Sequence, residues 1–73
     1  MDKFRIGNHL RRLRFDHDEM TQQQLADKVG VTRQTIVAIE KGNYSPSLEL
    51  AFRIASAFDT TIEEVFFIEG TPR

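Results

Sequence analysis

The chain is 73 residues long, 40% hydrophobic and 29% charged, with a formal net charge of −1 and no cysteine. That length lies near the lower limit for a self-sufficient core, so residues 1–73 read as one small domain. Without cysteine there are no disulfide staples or thiolate metal sites, and no apolar run is long enough to span a bilayer.

The opening MDKFRIGNHLRRLRF has basic residues but lacks the apolar stretch and cleavage site of a signal peptide, so a cytoplasmic location is expected. Lys3–Ile6 is a candidate short strand. Leu10 and Leu13, spaced i, i+3 among arginines, predict a first helix over about Asn8–Phe15. The acidic stretch Asp16–Glu19 interrupts it. Thr21 precedes Gln24 by three, the spacing of a capping box, and opens a second helix carrying Leu25, Ala26 and Val29. Gly30 ends that helix. Thr32 caps a third, about Arg33–Lys41, which Gly42 ends. NYSPS is a loop, because Pro46 disfavours helix at Ser45, and Ser47 is the next cap. A fourth helix, about Leu48–Phe58, has Ala51, Ile54, Ala55 and Phe58 at helical spacing. Thr61 and Glu64 predict a second capping box and a short fifth helix ending near Phe66. The β-prone Phe66–Ile68 could then pair with the N-terminal strand. The expected fold is an all-α bundle of five helices, with short β pairing of the chain ends as an optional addition.

Charge is unevenly spread. Residues 1–44 hold eight Lys/Arg against six Asp/Glu, and residues 45–73 hold two against five. A basic half with an acidic back is compatible with DNA, because phosphates respond to the local field and not to the total charge.

The third helix has an unusual opening. At 100° per residue, Arg33, Gln34, Val37, Ala38 and Lys41 share one side, while Thr32, Thr35, Ile36 and Ile39 share the other. One side packs; the other offers donors, a small residue and cations. The helix before it is only Gly30-Val31-Thr32 away. Two short helices joined by a glycine-containing turn match the helix-turn-helix, whose second helix enters the DNA major groove.

The pattern Q22-x-x-L25-A26-x-x-x-G30-V31-x-x-x-x-I36-x-x-I39-E40-x-G42 closely resembles the phage-repressor-type (Cro/XRE) helix-turn-helix family. The resemblance continues through YSPSLELAFRIASAF and TIEEVF, and is strongest to short stand-alone regulators without a ligand-binding domain. One departure stands out. The link from Arg14 to Thr21 is one residue longer than the family's usual link, which has glycine where Glu19 stands.

The resemblance implies roles that side-chain chemistry supports. Arg33, Gln34, Thr32 and Ala38 would contact bases: arginine bridges guanine O6 and N7, glutamine bridges adenine N6 and N7, and a methyl meets thymine. Gln22, Thr35, Lys41, Asn43 and Tyr44 would contact phosphate, with Gln22 in the first turn of the second helix, where an anion is favoured. Glu40 resembles the family's buried acid, and Arg14 is its expected partner.

Other features read more plainly. Arg11 and Arg12 read as a solvated face of the first helix, with direct DNA contact as the lesser alternative. His9 and His17 have no metal-ligand spacing, and Asp16–Glu19 reads as a solvated turn. No carboxylate, serine or lysine has a catalytic context, so neither an enzyme nor a cofactor, metal or small-molecule ligand is expected. Leu48, Leu50, Phe52, Phe66, Phe67 and Ile68 exceed what one small core can hold. Leu48, Phe52, Phe66, Phe67 and Ile68 are therefore assigned to a homodimer interface. The expected function is a transcriptional regulator that binds double-stranded operator DNA as a homodimer and represses by occupancy. Its rivals are an antitoxin built on the same fold and a protein-interaction bundle without a DNA role.

Overall fold

The computed structural model describes residues 5–69. In chain order they form β1 (Arg5–Asn8), α1 (Leu10–Asp16), α2 (Gln22–Val29), α3 (Arg33–Glu40), α4 (Leu48–Ala57), α5 (Ile62–Val65) and β2 (Phe66–Glu69). Five helices are present as expected, but β1 and β2 pair antiparallel, so the fold is mostly α and not strictly all-α.

Local chemistry accounts for the helix starts. Thr21, Thr32, Ser47 and Thr61 each stand before a helix in extended backbone and accept the N–H three residues on. Each hydroxyl thereby satisfies one of the orphan donors of a first turn, worth about 1 kcal/mol per cap. Only Thr21 forms the full box: the Gln24 side chain returns to accept the Thr21 N–H at 2.8 Å. The box expected at Thr61 is half formed, because the Glu64 backbone donates to Thr61 Oγ1 while the Glu64 side chain makes no return bond. At the other ends, Gly30 (φ 79°) and Gly42 (φ 82°) take the left-handed conformation that stops α2 and α3.

The first helix starts at Leu10 and not at Asn8, because Asn8 is the last residue of β1. Its side chain works in two directions. Oδ1 accepts the Leu10 N–H at 3.1 Å, and Nδ2 donates to the Ile39 carbonyl at 2.9 Å, clamping the start of α1 to the end of α3.

The strand pairing runs Arg5↔Glu69, Ile6↔Ile68, Gly7↔Phe67 and Asn8↔Phe66. Arg5 and Ile6 of the expected Lys3–Ile6 fall in β1, which continues to Asn8; Lys3 and Phe4 are outside the described residues. The register explains Gly7. A Cβ there would run into the Phe67 ring, which also stacks on His9 with centroids 4.7 Å apart. Because side chains alternate, Phe66 falls on the opposite face, toward the core.

That core gathers Leu10, Met20, Leu25, Ala26, Val29, Ile36, Ile39, Ile54, Ala55, Phe58 and Val65, all buried. Every helix contributes, and α3 adds Ile36 and Ile39 from its inner side. Leu13, Val31, Leu50 and Phe66 pack against its edge. Leu50 and Phe66, counted as surplus from sequence, therefore belong partly to the core. The acidic link after α1 is a tight turn: Asp18 (φ 61°) and Glu19 (φ 54°) are both left-handed.

Candidate nucleic-acid interface

α3 is short and two-sided. Ile36 and Ile39 are buried, Val37 and Ala38 are half-buried, and Arg33 and Gln34 are exposed. Among the described residues neither the Arg33 guanidinium nor the Gln34 amide has a side-chain hydrogen-bond partner. Their donors are free on a helix whose opposite side is locked into the core.

The hydroxyls nearby are less free. Thr32 Oγ1 accepts the Thr35 N–H and lies 3.1 Å from Thr35 Oγ1. These bonds leave the Thr32 methyl group uninvolved, a partner for thymine. After α3, the Gly42 turn lets the Asn43 N–H bond to the Ala38 carbonyl at 2.9 Å, which fixes Asn43 and Tyr44 beyond the helix end. Lys41, Asn43 and Tyr44 are all exposed.

Gln22 opens α2 and is half-buried. Its Nε2 donates to Glu40 Oε1 at 3.2 Å, which uses one of its two amide hydrogens. Glu40 itself is gripped by Arg14, Nε to Oε2 at 2.7 Å and Nη2 to Oε1 at 3.1 Å. Arg14 Nη1 also donates to the Met20 carbonyl at 2.8 Å. One arginine therefore joins α1, the link before α2, and α3. The Glu40–Arg14 pair expected from sequence is present, and the Gln22 contact adds a third member to it.

Surface depressions connect these residues. Gln22 and Arg33 line one, with Arg11 and Arg14. Gln22, Val37 and Lys41 line a second, again with Arg11. Lys41, Asn43 and Tyr44 line a third, against β1 and Phe66. Of the DNA-contact set expected from sequence, Gln22, Arg33, Lys41, Asn43 and Tyr44 line these depressions, while Thr32, Gln34, Thr35 and Ala38 line none of them. Sequence reasoning missed Asn8 as the clamp on α3 and Arg11 as a lining residue of two of the depressions. The available signal for Arg11 was its place three residues before Arg14, on a neighbouring face of α1.

The residues assigned to a dimer interface divide. Leu48, Phe52, Phe67 and Ile68 are exposed, whereas Phe66 turns inward. Phe52 lines a depression with Lys28, Glu49 and Arg53, and Phe66 lines the one beside Tyr44 and Pro46. The two groups are not joined in one groove. Ile6, which pairs across the ribbon with Ile68, is a further exposed apolar residue.

Comparison with known proteins agrees with this geometry. A helix-turn-helix family model matches residues 10–65. The chain is 55% identical over 64 residues to MJ0272, an uncharacterized HTH-type transcriptional regulator of Methanocaldococcus jannaschii, covering 88% of this chain and 96% of that one. It is 36% identical over 60 residues to the cryptic phage CTXphi transcriptional repressor RstR of Vibrio cholerae, covering 82% of this chain and 53% of RstR. A crystal structure from Bacteroides fragilis, of a protein described as DNA-binding, superimposes with a TM-score of 0.73 at 18% identity, covering 85% of this chain and 98% of that one. The chain belongs to the phage-repressor-type (Cro/XRE) helix-turn-helix family of DNA-binding transcription regulators.

Among the described residues no helix is long and apolar enough to cross a membrane.

Proposed function

We propose that the protein is a cytoplasmic, non-enzymatic repressor that binds an inverted-repeat operator as a homodimer. The observation that carries this reading is the exposed pair Arg33 and Gln34 at the start of α3, with no side-chain partner among the described residues, on a helix anchored from behind. Arg33 reads a guanine and Gln34 an adenine, with Thr32 and Ala38 against neighbouring base edges. Gln22, Thr35, Lys41, Asn43 and Tyr44 hold the backbone and set the register, since phosphate contacts position and base contacts specify. Repression is by occupancy: the bound dimer excludes polymerase from the promoter. The name of RstR, a transcriptional repressor, supports this direction of regulation.

One α3 reads only a few base pairs. A two-fold dimer doubles the reader and places half-sites about 34 Å apart, one turn of DNA. The exposed apolar residues Leu48, Phe52, Phe67 and Ile68 supply the surface for that contact, with Phe66 packed beneath. Selection of bound sites from random duplex DNA tests the reading. An inverted repeat is expected, and recovery of no preferred sequence would contradict it.

A further inference from the structure

Asn8 closes β1, paired with Phe66 of β2, and its half-buried side chain reaches out of the ribbon to α3. Its Nδ2 donates to the Ile39 carbonyl at 2.9 Å. Among the described residues no other hydrogen bond joins the ribbon to α3. The Ile39 carbonyl also accepts the Gly42 N–H at 3.0 Å, so the end of α3 is held at once by its own turn and by the ribbon. The end of α2 is held differently. Its Val29 carbonyl accepts from Arg53 of α4, a contact within the bundle.

The Asn8 carboxamide has little freedom of its own. Its Oδ1 accepts the Leu10 N–H at 3.1 Å, and Leu10 is fully buried. The next N–H along the chain, that of His9, donates at 2.8 Å to the Val65 carbonyl, where α5 passes into β2. The carboxamide therefore follows the ribbon, and the end of α3 follows the carboxamide. On the same ribbon Ile6, Phe67 and Ile68 are exposed, and two of these belong to the proposed dimer surface. A small tilt is amplified along α3. At about 1.5 Å per residue, Ile39 stands about 9 Å from Arg33, so a tilt of about 10° swings Arg33 by roughly 1.6 Å. Two protomers together change the separation of their readers by about 3 Å, close to the rise of one base pair, about 3.4 Å.

We propose that Asn8 is a positioning residue for operator recognition: it fixes the angle of α3 against the dimer-forming ribbon, and through that angle the half-site spacing the dimer accepts. This rests on the reading of the protein as a two-fold dimer whose α3 contacts bases. Asn8 itself touches no DNA. It acts on the linkage between two readers and not on the reading done by one. Affinity for a lone half-site depends on α3 and its phosphate anchors. An operator with two half-sites gains from linkage only when both readers arrive at the right separation.

The test measures affinity of the full chain for the inverted repeat recovered by site selection, for that repeat lengthened or shortened by a single base pair at its centre, and for a duplex carrying a lone half-site. The proteins are the wild type, Asn8→Ser, Asn8→Asp and Ile54→Val. Serine keeps a short acceptor for the Leu10 N–H and is too short to reach Ile39. Aspartate keeps the same acceptor and sets a carboxylate oxygen against the Ile39 carbonyl, where a donor stood. Ile54→Val trims the core on α4 and controls for lost stability alone. Asn8→Ser should lower affinity for the selected repeat about tenfold, the scale of one weakened bond in each protomer, while affinity for the lone half-site stays within about twofold. Its preference for the selected spacing over the altered ones should flatten, and Asn8→Asp should flatten it at least as far. Ile54→Val should keep the wild-type preference. Circular dichroism at the assay temperature identifies the folded variants, and if one Asn8 variant is unfolded the other decides. Loss of the fold in both would overturn the proposal, since Asn8 would then serve stability and not spacing. An unchanged spacing preference, or an equal loss on the repeat and the lone half-site, would overturn the role of Asn8 alone. A wild type that binds all spacings equally, or the repeat no tighter than the lone half-site, would overturn the dimeric reading as well.

Discussion

Arg14 and Glu40, 26 residues apart, meet in a two-pronged bridge with side chains only 15% and 10% exposed. Glu40 Oε1 also accepts from Gln22, and a third guanidinium N–H donates to the Met20 carbonyl. A single cluster thus sets where α2 begins relative to α3, the relationship a helix-turn-helix must keep in order to place its phosphate anchor and its base readers on one DNA site.

Breaking that cluster from one side should be costly. Arg14→Met or Glu40→Met alone leaves a largely desolvated charge unpaired and should destabilise by about 3 kcal/mol, the low end for buried pairs because some water reaches both groups. The double substitution should recover much of the loss, since an absent pair is often cheaper than half of one. Chemical denaturation of all four proteins measures the coupling. Strictly additive losses would show that the bridge contributes nothing as a pair.

The link after α1 contains removable strain. Glu19 sits at φ 54°, in the left-handed region, where a side chain costs roughly 1–2 kcal/mol. It is exposed, so little is lost by deleting its side chain. Glycine adopts that conformation freely but adds about 0.5–1 kcal/mol of unfolded-state entropy to overcome. Glu19→Gly should therefore stabilise by about 0.5 kcal/mol or a little more, raising the midpoint of thermal unfolding by a few degrees. A lowered midpoint would mean that the strain is relieved in some other way.

The chain's own chemistry made much of this legible, and the pattern of successes has a physical reason. Helix starts were readable because a hydroxyl and the N–H it accepts are three residues apart in sequence. The exposure of Arg33, Gln34 and Lys41 beside the buried Ile36 and Ile39 was readable from helical periodicity. Contacts between distant segments were not. Asn8 looked like a helix start because its bond to Ile39 spans 31 residues and leaves no local trace. Phe66 looked like surface because its direction depends on the β1–β2 register, and a one-residue slip would exchange it with Phe67. The left-handed turn at Asp18 and Glu19 had only a missing glycine to announce it.

The dimer is best probed at Ile68. Phe67 covers Gly7 and stacks on His9, so replacing it would disturb the ribbon itself. Ile68 is exposed and pairs across the ribbon with Ile6. Ile68→Asp should shift the protein toward monomer in sedimentation while the helical circular dichroism persists. Operator affinity should fall much more than non-specific affinity, because the two half-sites are no longer linked. A wild type that stays monomeric at high concentration would contradict the proposed dimer, as would an Ile68→Asp protein that stays dimeric.

The most direct test of α3 as the reading helix is a site selection repeated with Arg33→Ala and with Gln22→Ala. Losing a bidentate arginine–guanine contact should weaken specific binding by about 1–3 kcal/mol and relax preference at one base position in each half-site. Gln22→Ala should lower affinity on every sequence and leave the preferred site unchanged. An Arg33→Ala protein that loses affinity equally on all sequences, with its preferred site intact, would show that the exposed start of α3 holds phosphate and does not read bases.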